Sequence, residues 1–78
     1  GLSTPIVIRF DYYGSVVGAR ERAVARAGRV ADALKSRYPD HFAAGDIHYL
    51  QLSRDLDTRA APEFLGSNLP SLTEDNLS

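Results

Sequence analysis

Cysteine, methionine and tryptophan are all absent from this 78-residue chain. Without cysteine there is neither a disulfide framework nor a thiolate metal site, the staples on which small domains most often rely. The redox compartment is unmarked for the same reason. With no methionine anywhere, Gly1 reads as a processed end, a cloning remnant or the edge of an excised fragment. No apolar run approaches the roughly 20 residues of a membrane span, and the N-terminus lacks the charged-then-apolar order of a signal peptide. No membrane partner is expected, and the default compartment is cytoplasmic.

A surplus of either charge is also lacking. Nine basic against ten acidic residues give a net charge of −1, which argues against a dedicated polybasic nucleic-acid binder. The balance is uneven along the chain, however. Residues 1–38 carry seven basic and three acidic groups, or +4, and residues 39–78 carry two basic and seven acidic groups, or −5. Such asymmetry points to an electrostatic match within the chain or with a partner. A chain this short buries only roughly 60% of the surface its unfolded form exposes, so its stability is marginal.

The period-2 pattern from Pro5 to Tyr13 predicts a strand, with Ile6, Ile8, Phe10 and Tyr12 on one face and Val7, Arg9, Asp11 and Tyr13 on the other. Gly14-Ser-Val-Val-Gly18 breaks it, either as a lead into a helix or as a hairpin turn with Val16 and Val17 in a second short strand. Residues 19–38 then follow a helical period. Ala19, Ala23, Val24, Ala27, Val30, Ala31, Leu34 and Tyr38 share one face, and alanines four residues apart let a neighbouring backbone come close. Pro39 disfavours helix at the residue before it. Asp40 to Ala44 reads as a turn closed by Gly45, and residues 46–54 as a second strand, apolar on both sides and therefore inner. From residue 58 onward Pro62, Gly66 and Pro70 mark an irregular acidic tail. The reading is a small α/β or α+β domain of βαβ type over residues 1–57, with the tail over 58–78. Strand, helix, strand makes a parallel pair, with or without a third strand between. Two strands and one helix do not suffice, so a second copy of the chain, the tail folded back as an edge strand, or the rest of a larger protein must complete the sheet.

Three features carry candidate chemistry. Arg22, Arg26, Arg29 and Arg37 project within about an 80° sector beside the apolar helix face. Asp32 is within reach of Arg29, whereas Arg22 and Arg26 have no acid at i+3 or i+4. These four arginines are the candidate partner-binding residues, facing an acidic surface or, more weakly, nucleic-acid phosphate. Gly14 to Gly18 lies where a helix start can bind an anion, yet it matches neither the dinucleotide fingerprint nor the Walker A loop. Asp40, His41, Asp46 and His48 are metal-ligand types without the spacing of a known site. No catalytic residue, metal or cofactor is therefore assigned.

Ile6 to Phe10, the long helix and Gly45-Asp-Ile-His-Tyr-Leu-Gln-Leu-Ser-Arg-Asp-Leu-Asp57 together resemble the first half of the small ferredoxin-like dimeric domains of the antibiotic-biosynthesis monooxygenase type. That family's later strands and second helix have no counterpart in Thr58 to Ser78, and no functional residue is carried over. The leading expectation is a non-enzymatic interaction or oligomerisation module, its arginine edge meeting a second copy or the chain's own tail. The tail has five acidic and one basic residue over 55–78, a net −4. The alternatives are a small dimeric ferredoxin-like enzyme or ligand-binding domain with a pocket lined by Phe10, Tyr12, Tyr38 and Tyr49, and weak nucleic-acid binding through the arginines.

Overall fold

In the computed structural model, which describes residues 3–55 and 61–71, the alternating segment is strand β1 (Ile6–Tyr12) and the alanine-rich segment is helix α1 (Ala19–Arg37). Strand β2 spans Ile47–Ser53 and strand β3 spans Glu63–Gly66. The first three elements end within a residue of their expected limits. Helix α1 stops because Tyr38 leaves helical geometry at φ −128°, its N–H still bonded to the Leu34 carbonyl, with Pro39 next in the chain. Glu21 in its first turn and Lys35 and Arg37 in its last complement the helix dipole.

The sheet has the order β1-β2-β3. Strands β1 and β2 pair in parallel from Ile6 opposite Ile47 to Tyr12 opposite Ser53. As direct neighbours they leave no room for a strand between them, so the split pattern of a ferredoxin-like sheet is not formed. Nor does Val16-Val17 form a strand: the Val16 N–H bonds the Tyr13 carbonyl at 3.0 Å in a turn that leads straight into α1. Strand β3 runs antiparallel to β2, with Leu50 opposite Phe64 and an irregularity between Tyr49 and Leu50. It lies in the segment read as irregular, and of the three candidates for completing the sheet it is the tail that supplies a strand. Four residues that follow Pro62 and end on Gly66 are too short for alternation to show. The boundary between residues 57 and 58 falls outside the described residues.

The core lies between helix and sheet. Ala23, Val24, Ala27 and Ala31 meet Phe10, Ile47 and Tyr49, with Ile6, Ile8, Tyr12, Phe42, Leu65 and Leu69 at the margins. Ala23 is 0% exposed. Burial this complete at so small a side chain is the close approach that the alanine spacing predicts. Val30 and Tyr38, placed on the same face by the helical period, are instead 49% and 41% exposed. Val30 sits at the stripe's edge beyond the narrow sheet, and Tyr38 follows the last helical residue. Strand β2 is central but has one cover rather than two. On the far face Val7 and Phe64 are 56% and 60% exposed, and His48 stacks on Phe64 at 5.6 Å between ring centroids.

Asp46 ties the start of β2 to the segment before β1. Its carboxylate accepts the Ala43 N–H at 2.8 Å, the Thr4 N–H at 3.1 Å and the Ser3 hydroxyl at 2.9 Å. The Ala43 N–H, followed by the Ser3 hydroxyl, holds its pKa below the ordinary 3.8. A carboxyl whose pKa is lowered by folding stabilises the fold above its unfolded value, and that contribution disappears as pH falls through the folded value. Asp46→Asn should therefore lower the melting temperature at neutral pH and flatten its fall below about pH 4, measured by circular dichroism across an acid series. Gly28 offers the opposite change. A Cβ there would meet Leu69 Cδ1 at 3.6 Å, an ordinary contact, so Gly28→Ala should raise stability by about 1 kcal/mol in chemical denaturation.

Candidate functional site

Parallel pairing brings the carboxyl ends of β1 and β2 to the same edge of the sheet, and the Arg54 N–H extends the ladder to the Tyr12 carbonyl at 2.8 Å. Beyond Tyr12 the chain turns into α1. The Ser15 N–H and hydroxyl both donate to Asp55 Oδ1 at 3.1 Å, fastening the turn to the end of β2. Gly18 closes it at φ 78° as the residue preceding the helix, where no side chain caps the first helical N–H groups. Left-handed backbone of this kind is the reason for a glycine here.

Arg22 and Arg26, one helical turn apart, open onto the same space as these strand ends. With Asp11, Tyr12, Tyr13, Ala19 and Arg54 they line an open cleft of about 320 Å³. Asp11 is already engaged: it accepts from Arg9 Nε at 2.9 Å, Arg9 Nη2 at 3.1 Å and Arg54 Nη1 at 3.1 Å. The Arg9 hydrogen bond is the main reason its carboxyl lies below the usual aspartate range, while the same contact raises the Arg9 guanidinium. Arg22 reaches only the Val17 carbonyl, at a long 3.5 Å. Arg26 has no hydrogen bond or ion pair among the described residues. Beside the cleft runs a chain that sequence reading did not single out. Arg20 Nε donates to Gln51 Oε1 and Gln51 Nε2 to Glu63 Oε2, each at 3.2 Å. It joins helix, central strand and β3 through a buried glutamine. Its only signal was Gln51, a polar residue two positions after Tyr49 on the same side of β2.

The arginine edge is thus divided. Arg22 and Arg26 enter the cleft, Arg29 is exposed, and Arg37 Nε donates to the Tyr38 hydroxyl at 3.3 Å. The expected Arg29–Asp32 ion pair is not formed among the described residues. Of the tail acids, Asp55 holds Ser15 and Glu63 holds Gln51; Asp57, Glu74 and Asp75 lie outside the described residues. The metal-type set is dispersed among other tasks. Asp46 is taken by backbone and serine donors, His48 Nδ1 lies 3.1 Å from the Asp46 carbonyl, and His41 meets Tyr38 edge-on. No cluster of three ligand-type side chains occurs among the described residues. The four aromatics do not share a pocket either. Phe10 and Tyr49 are core residues, Tyr12 borders the cleft, and Tyr38 stands at the opposite end of α1. Burial, with a smaller effect of Asp32, raises the Tyr49 phenol.

The geometry so far defines a class: a small mixed sheet under one long helix, with a basic cleft at the carboxyl ends of its parallel pair. Residues 1–69 match the family model described as Carboxysome Shell Carbonic Anhydrase, C-terminal, and the chain belongs to that family. Three proteins named carboxysome shell carbonic anhydrase are similar to it. That of Prochlorococcus marinus is 44% identical over 68 residues, 87% of this chain and 13% of that protein. That of Parasynechococcus marenigrum is 45% identical over 74 residues, 94% of this chain and 13% of that protein. That of Hydrogenovibrio crunogenus is 39% identical over 74 residues, 95% of this chain and 13% of that protein.

Membership in an enzyme family overturns the expectation of a non-enzymatic protein-interaction module, and with it the reading that the chain is not from an enzyme. The alternative that placed the fold in an enzyme is the better one, although its ferredoxin-like topology is not. The error has a physical source: the chain spans about 13% of the length of its relatives, so most of the residues of those enzymes have no counterpart in it. None of the described helices is long and apolar enough to cross a membrane.

Gly18 is the residue on which the cleft's near wall depends. A Cβ there would sit 2.7 Å from Arg22 Nη1 in left-handed backbone. Gly18→Ala should cost about 1–2 kcal/mol in denaturant titration, and should displace the Arg22 side chain in the structure of the variant.

Proposed function

We propose that this chain is the carboxyl-terminal domain of a carbonic anhydrase associated with the carboxysome shell, and that it serves the enzyme as a supporting domain rather than as the seat of the reaction. The carrying observation is the family match over residues 1–69, together with relatives 39–45% identical to nearly the whole chain. Carbonic anhydrases interconvert carbon dioxide and bicarbonate, chemistry that a zinc-bound hydroxide supplies at neutral pH. The donors here do not fit such a centre. The sequence has no cysteine and two histidines, and both histidine rings pack against aromatic neighbours. The hydration step is accordingly assigned to the larger part of the polypeptide outside this chain.

What the domain itself offers is a stiff sheet with one uncovered face. Val7, Leu50, Leu52 and Phe64 lie on the side away from α1, and in the longer protein the remainder of the polypeptide is the available cover. Burial of such a face supplies roughly 25 cal/mol per Å², which supports a packing role within the enzyme.

The test uses the intact protein that carries this chain. Carbon dioxide hydration followed by stopped-flow indicator absorbance should be fast. His41→Ala/His48→Ala should keep both the rate and the zinc content measured by atomic emission. An intact protein that hydrates no carbon dioxide defeats the carbonic anhydrase assignment. A folded double variant that has lost its zinc defeats the supporting role.

A further inference from the structure

We infer that the cleft at the carboxyl ends of β1 and β2 is a binding site for a small dianionic oxyanion of the phosphate type, held by Arg22, Arg26 and Arg54. Three arginines and a single acidic residue, Asp11, line it, so the cleft carries an excess of positive charge. An excess of positive charge attracts a phosphoryl dianion more strongly than a monoanion of similar size. The Asp11 carboxylate does not compete, because Arg9 grips it through two N–H groups and Arg54 through a third. Arg22 and Arg26 lack any acidic partner among the described residues. Two guanidinium forks one turn apart on a single helix present several parallel N–H donors, the arrangement that suits a tetrahedral oxyanion.

Two further observations place the ligand here rather than elsewhere along the arginine edge. The cleft is the crevice outside the carboxyl ends of a parallel pair, where open α/β sheets receive ligands. It also borders the first turn of a 19-residue helix with no side-chain cap, so the helix dipole adds to the guanidinium charge. The Tyr12 and Tyr13 side chains complete the wall, and phenol hydroxyls can donate to an oxyanion. At about 320 Å³ the space takes a phosphate with a few carbon atoms attached, so inorganic phosphate and a small phosphate monoester share the chemistry that the cleft recognises.

The inference stands apart from the carbonic anhydrase reading, because its readout is binding and not activity. Inorganic phosphate is titrated into the intact protein by isothermal calorimetry at neutral pH and constant ionic strength, with glycerol phosphate, sulfate and bicarbonate in parallel. Phosphate or glycerol phosphate should bind at least ten-fold more tightly than bicarbonate, and whichever binds more tightly identifies the source. Arg22→Ala and Arg26→Ala should each weaken that binding at least ten-fold, Arg26→Lys should fall between, and Arg29→Ala should match the parent. Bicarbonate binding as tightly as phosphate overturns the proposal, as does an affinity unchanged in correctly folded Arg22→Ala and Arg26→Ala variants.

Discussion

The contact on which everything else rests is the one between the alanine stripe of α1 and the parallel pair beneath it. Ala23, Ala27 and Ala31 are nearly or wholly buried against Phe10, Ile47 and Tyr49. Small side chains on the helix and larger ones on the strands let the two layers come close. A domain with so few buried residues has little apolar area to spare, and a larger residue in the stripe would lift the helix from the whole core at once. Close seating of the helix also fixes where its first turns lie over the strand ends, and so where Arg22 and Arg26 stand.

Polar groups fasten this layer pair at both ends. At the amino end of the strands Asp46 gathers Ser3, Thr4 and Ala43, and at the carboxyl end Asp55 gathers the Ser15 turn. Between them the Arg20–Gln51–Glu63 chain crosses from helix to β3 through the buried Gln51 amide. Buried or half-buried polar atoms satisfied in this way hold a register that apolar contact alone leaves adjustable. The exposed Arg9–Asp11–Arg54 group belongs to a different category. Its side chains are solvated, its worth to stability is small, and its consequence is to occupy Asp11 and leave the cleft positive.

Family membership changes what the chain's missing features mean. Two histidines committed to aromatic neighbours, a basic cleft and a sheet with one open face do not by themselves make an active site. They are ordinary in a domain that makes up about 13% of its relatives' length. On the far face of the sheet, away from the helix, Val7 and Phe64 stand exposed.

By itself the sequence determined the elements, because local chemistry sets them. Alternation fixed β1 and an apolar run after Gly45 fixed β2, each to within a residue, the alanine period fixed α1, and Pro39 fixed its end. It also marked Arg22 and Arg26 as unpaired along the helix, since i+3 and i+4 spacing is readable without any fold. It could not show β3, whose four residues acquire strand geometry only by hydrogen bonding to β2. Nor could it separate Arg22 and Arg26 from Arg29 and Arg37. All four share one edge of a helix, and only the position of the strand ends decides which of them face a cleft and which face water. Pairing across the chain is the physical reason: the register of Tyr12 with Ser53 brings Arg54 and Asp11 beside Arg22 and Arg26, and no local pattern encodes that meeting.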